Sequence, residues 1–152
     1  IYMVLEPAVN FALERRLGEE GVEVVRRLYL SRWLGEQLRR CLWLGSSRLR
    51  DRELARPYLG HPVGGHGLES VAQAVEAGVN RLDGMIHLAP FTCMPEIVAG
   101  SVLPMVGQDL GLPILRLSLD EHTAEAGILT RVEAFLDLAA RRRRRSAWRA
   151  KD

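Results

Sequence analysis

The chain has 152 residues, 47% of them hydrophobic and 26% charged, the make-up of an ordinary globular domain able to bury its own core. Its apolar runs are broken by Gly, Pro or charge well short of the roughly 18 residues a spanning helix needs, so no membrane partner is expected. The net charge of +2 hides an asymmetry: residues 141–152 hold six Arg, one Lys and one Asp, which leaves about −4 on residues 1–140.

Five consecutive arginines, Arg141 to Arg145, can attract nucleic acid or an anionic surface. They read here as the solvated end of a final helix running into a basic tail, where cations suit the helix dipole. Without aromatic interleaving or a second basic face, nucleic acid is not an expected partner. The chain opens on Ile1-Tyr2-Met3 with neither an initiator Met nor a basic and apolar leader. The expectation is a piece of a longer protein, with the partners of any site upstream. Cys41 and Cys93 need no disulfide in a chain of this size lacking a secretion signal, and a cytoplasmic setting is expected.

Ile1 to Leu5 reads as a buried strand, followed by a helix from about Ala8 to Glu20 that Gly21 ends. Val22 to Leu28, rich in β-branched residues, reads as a second strand. Ser31 suits the N-cap of a helix to about Leu44 that carries Trp33, Cys41 and Trp43. Arg48 to Leu59 is charged and fits no clear pattern. Gly64-Gly65-His66-Gly67 is a loop before a helix over Leu68 to Ala77.

Leu82 to Leu88 is a third strand, and the turn after it leads to Pro95, which suits the start of a helix reaching about Leu110. Pro113 to Leu119 is a fourth strand. Thr130-Arg131-Val132-Glu133 has the form of a capping box opening the last helix. Alternating strands and helices predict a single three-layer α/β domain over 1–140, flavodoxin-like, with a four-stranded parallel sheet of order 2-1-3-4 and a basic tail over 141–152. That order places a ligand-binding switch point between the carboxyl ends of strands one and three, at Glu6-Pro7 and Ala89 to Met94.

Cys93 would then sit between a strand and a helix N-terminus, whose partial positive charge favours thiolate, the form that ligates metals and attacks as a nucleophile. The plainer alternative is a small side chain packed under the turn. Asp120 and Glu121, just past strand four, have the chemistry of acid/base or cation-binding groups, or they cap the loop before the last helix. One Cys with scattered His61, His66, His87 and His122 lacks the paired spacing of a zinc site. The glycine loop matches neither a dinucleotide fingerprint nor a phosphate loop, and the sole lysine is Lys151.

Asp83-Gly84-Met85-Ile86-His87, Pro90-Phe91-Thr92-Cys93-Met94-Pro95-Glu96, Asp120-Glu121-His122-Thr123 and Thr130 to Phe135 come in an order and spacing that resembles one family. It is the last segment of 2-hydroxyacyl-CoA dehydratase and benzoyl-CoA reductase subunits and of the long CoA-enzyme activases; Glu6-Pro7 with Asn10 and Gly64-Gly65 also fit. The resemblance implies that Cys93 is one ligand of a four-iron four-sulfur cluster used in ATP-driven electron transfer to a radical dehydratase. Glu6, Asn10, Phe91, Glu96, Asp120 and Glu121 would edge the site. The remaining ligands would come from the rest of the parent chain or from a dehydratase or activator subunit, with acyl-CoA as the substrate class. One thiolate cannot hold a cubane, so the piece alone is expected to carry no cluster and no turnover. Two other readings stay open: a flavodoxin-like binding or interaction module without redox chemistry, and a cysteine-nucleophile enzyme pairing Cys93 with His87, His66 or His122.

Overall fold

The computed structural model describes residues 2–26, 34, 35, 38 and 48–149, which divide into two compact units, Ile1–Arg50 and Asp51–Asp152. In the first, helix α1 spans Tyr2–Leu5 and helix α2 spans Leu13–Glu19, with Leu13 and Leu17 buried. Residues 2–5 are thus helical where a strand was expected. A run of five apolar residues has no periodicity that separates the two states, and a strand needs a neighbour to take its backbone bonds.

The helix expected from Ala8 begins only at Leu13, because Phe11 and Ala12 turn through left-handed angles (φ 57 and 51). Asn10 holds that turn: its Oδ1 accepts from the Leu13 N–H at 3.3 Å, and its Nδ2 donates to the Val4 carbonyl at 3.2 Å. Val22 to Arg26 follows without strand structure, leaving Val24 and Val25 exposed. β-branched content favours a strand only where a ladder partner exists. Residues 27 and 28 of that expected strand, with Trp33, Cys41 and Trp43 of the expected helix, lie outside the described residues.

The second unit carries the α/β character. Helix α3 (Arg48–Ala55) occupies the charged segment that had no clear pattern, and helix α4 spans Gly67–Val79. Strand β1 (Met85–Pro90), helix α5 (Met94–Asp109), strand β2 (Ile114–Leu119) and helix α6 (Glu125–Arg149) follow. β1 and β2 pair in parallel from Met85↔Ile114 to Pro90↔Leu119. They are the third and fourth strands of the sequence reading, and they make up the sheet among the described residues; the four-stranded order is not formed there.

Close contacts fix how the helices lie. A Cβ on Gly67 would stand 2.4 Å from the Pro95 carbonyl oxygen, and one on Gly78 would stand 2.6 Å from Leu110 Cβ. The N-terminal ends of α4 and α5 therefore touch, as do their C-terminal ends, so the two helices run parallel. Between them lies a core of Val71, Ala72, Val75, Ala99, Leu103 and Val106, joined by Ala55 of α3. The small residues of α4 allow this approach.

Successive side chains of a strand point to opposite faces. Ile114 of β2 turns toward α5, while the buried Leu117 and Leu119 lie on the other face, covered by α6. From α6 come the buried Ile128, Val132, Phe135 and Ala139, and the Phe135 ring sits where a Cβ on Gly84 would be, 2.6 Å from its Cζ. Helices thus cover both faces of the parallel pair. α6 starts five residues before the expected capping box, and Thr130, inside it, donates back to the Ala126 carbonyl at 3.0 Å. No described helix is long and apolar enough to cross a membrane.

The Gly67–Pro95 approach gives a direct check. Gly67→Ala should lose about 1–3 kcal/mol, because a backbone oxygen cannot step aside as a side chain would. Gly18→Ala in α2, with open space around it, should be neutral or gain up to about 1 kcal/mol. Urea denaturation of both variants, followed by helical circular dichroism, separates the two outcomes.

Candidate functional site

Because β1 and β2 end together at Pro90 and Leu119, the loops that follow them share one edge of the sheet. The Phe91 N–H donates to the Leu119 carbonyl at 2.9 Å and carries the pairing one residue further. Thr92 then turns through a left-handed angle (φ 63) and donates its hydroxyl to the Phe91 carbonyl at 2.6 Å. For a β-branched residue this conformation costs about 1–3 kcal/mol, which the surrounding contacts must offset.

The Cys93 N–H donates to the Pro90 carbonyl at 3.2 Å, and its own carbonyl accepts from the Ile97 N–H at 2.9 Å as the N-cap of α5. Its thiol is half-buried, beside the exposed rings and chains of Phe91 and Met94. The strand, turn and helix expected around Cys93 are therefore all present.

Glu96, in the first turn of α5, is buried and turned inward. Its Oε2 lies 2.7 Å from Nε2 of the buried His87 in β1 and accepts from Ser70 Oγ of α4 at 3.0 Å. A carboxylate only accepts, so the His87 Nε2 carries a proton and donates it. Burial pushes the Glu96 carboxyl upward, but the bonds from His87 and Ser70 and the positive fields of His87 and His66 outweigh it and hold it below its ordinary 4.5. His66, the N-cap residue of α4, pairs with Glu69 in the same helix. Two adjacent helix N-termini thus each carry a Glu matched to a His. Sequence reading placed Glu96 at the site edge but did not find Ser70 or its bond; a Glu beside an inward His of a strand was the available signal.

The other expected residues behave differently. Asp120 accepts from Thr123 Oγ1 at 2.7 Å and from the His122 N–H at 3.0 Å, while its own N–H donates to Thr123 Oγ1 at 2.8 Å. The Thr123 bond is the main reason its carboxyl lies below the ordinary range. It closes its own exposed loop, and Glu121 beside it is exposed. Glu6 and Asn10 belong to the first unit, where Glu6 accepts from the Ala8 N–H at 3.4 Å and Asn10 holds the turn before α2. With no strand at residues 2–5, the switch point expected at Glu6-Pro7 is not formed among the described residues.

No group of three or more His, Cys, Asp or Glu is placed to hold a metal among the described residues. Among the described residues Cys93 is the one cysteine, whereas a cubane cluster takes four. Compared with known proteins, the chain matches no family model, no curated protein and no solved structure.

The lowered carboxyl of Glu96 fixes a pH dependence. Its ionised form contributes stability that is fully present above its unfolded value near 4.5 and is lost as pH falls through the lower folded value. Glu96→Gln should cost about 3 kcal/mol near neutrality. Its stability gap to the parent chain should narrow as pH falls from the ordinary 4.5 through the lowered folded value. Chemical denaturation across that range measures both; a gap that stays constant with pH would rule out an ionised Glu96.

Proposed function

We propose that this chain is a domain of a 2-hydroxyacyl-CoA dehydratase-like or CoA-enzyme activase-like protein of the cytoplasm. In it, Cys93 supplies one ligand to a four-iron four-sulfur cluster. The observation that carries the reading is the placement of Cys93: a half-buried residue at the N-cap of a helix, at the carboxyl edge of a parallel strand pair, on a turn held by backbone bonds. A bound cluster supplies one-electron chemistry. The role of these residues is to hold one iron ligand still, with Glu96, His87 and Ser70 tying the helix behind it to the sheet. The remaining thiolates come from the rest of the parent chain or from a dehydratase or activator subunit, and acyl-CoA is the substrate class of the assembled site. The isolated piece is inactive on this reading.

The same reading takes the strand pair as part of a larger flavodoxin-like sheet. The odd residues of β1 direct their N–H groups to β2, as Met85 does to Pro113 at 2.9 Å and Phe91 to Leu119. Ile86 and Leu88 direct theirs to the opposite side, where a further parallel strand would pair. On the outer side of β2, Arg131 of α6 donates to the Arg116 carbonyl at 2.8 Å, as suits a terminal strand.

The test uses the full-length parent, reconstituted with iron and sulfide without oxygen. Cys93→Ser should weaken or abolish the cluster absorbance and lower the bound iron, while the fold is kept. An unchanged spectrum with unchanged iron content would overturn the assignment.

A further inference from the structure

The basic run of α6 is divided by the helix into two functional faces. At about 100° per residue, the buried Ile128, Val132, Phe135 and Ala139 define one side of α6. Arg142 and Arg143 flank that side and are used by the fold. The Arg142 guanidinium lies over Gly111, where a Cβ would stand 2.6 Å from it, at the carbonyl end of α5. Arg143 reaches Asp83 at 3.7 Å.

The opposite side is different. Arg141, Arg144, Arg145 and Trp148 fall within a sector of about 100°, pointing away from the core, with Trp148 among the three arginines. The arginines are exposed, and Trp148 is 70% exposed. The linear sequence shows a block of arginines with no aromatic among them; the helix brings one onto the same face, one turn beyond Arg144 and Arg145.

We infer that this outer face of α6, formed by Arg141, Arg144, Arg145 and Trp148, binds single-stranded nucleic acid, a role separate from the cluster reading above. The guanidinium fork matches phosphate oxygens in a way an ammonium does not, and the cationic residues of this face are all arginine. An exposed indole offers a stacking platform for a base, which gives an aromatic among cations its value in such sites.

Charge complementarity also selects the shape of the anion. Asp137 lies on this same side one turn back, 3.6 Å from Arg141, and Glu133 lies a further turn back and is exposed. A helix laid flat on an anionic membrane would press those carboxylates against it, and this face has no aliphatic stripe to bury. A phosphate chain crossing only the last turns meets Arg144, Arg145 and the indole clear of both carboxylates, and comes near Asp137 only where it reaches Arg141.

The test is fluorescence anisotropy of a labelled single strand of about a dozen nucleotides, titrated with the full chain over a series of salt concentrations. With three phosphates neutralised, the logarithm of the affinity should fall with the logarithm of salt with a slope of about −2. Trp148→Ala should weaken binding about five- to a hundredfold. Arg144→Ala together with Arg145→Ala should weaken it and bring the slope to about −1. These side chains point to solvent, so circular dichroism should show all variants folded. Unchanged affinity in Trp148→Ala reduces the face to bulk charge and overturns the proposal. So does Trp148-dependent binding of equal strength to phosphatidylserine vesicles or to poly-glutamate.

Discussion

A buried carboxylate needs donors, and the second unit of this protein is arranged around giving them to Glu96. One oxygen of that side chain gathers a bond from β1 through His87 and one from α4 through Ser70, while its backbone belongs to α5. Three elements that meet otherwise through apolar contacts are thereby given a fixed rotation relative to one another. Removing either donor would leave that buried carboxylate with one bond fewer, a heavier penalty than losing an apolar contact of the same size. The rest follows from that junction. α4 and α5 must run side by side with their N-termini touching, which only a glycine at position 67 permits. The turn carrying Cys93 is then held between the end of β1 and the first turn of α5.

The second half of the fold was legible because its signals are local. Strand runs alternate there with longer helical patterns, and the expected start at Pro95 and end near Leu110 fall close to the observed ends of α5. The first half was not. Residues 2–5 and Val22 to Arg26 look like strands by composition, but a strand exists only with a partner, and partnership is not written in either segment. The capping box at Thr130 failed for a related reason. Its side chains fit the pattern, yet the helix had already begun at Glu125, after a loop that Asp120 and Thr123 close on their own. Ser70 was invisible because its partner lies 26 residues away, and a serine within a helix carries no pattern that announces a buried bond.

The two loops on the carboxyl edge thus have opposite characters. The Asp120 loop spends its polar groups on itself and stays exposed. The Cys93 turn spends its backbone groups on neighbouring residues, keeps its thiol unused and accepts a left-handed threonine to do so. The left-handed Thr92 beside that thiol motivates the ligand role proposed for Cys93, although Phe11, Ala12 and Arg81 adopt the same conformation in ordinary turns. Asp120 closes that loop with its own bonds, and Glu121 stays exposed beside it.

The contact between Gly84 and the ring of Phe135 also bears on how the chain reaches this state during synthesis. The base of β1 is covered by a residue encoded about fifty positions later, past an entire helix and the second strand. At about 5–20 residues per second, a ribosome would leave that surface open for roughly three to ten seconds after β1 is made. Until residue 119 is made the strand lacks its parallel neighbour, and its covering helix is completed only later. Its apolar run stays uncovered for that time, and Phe135 is the residue whose arrival covers Gly84.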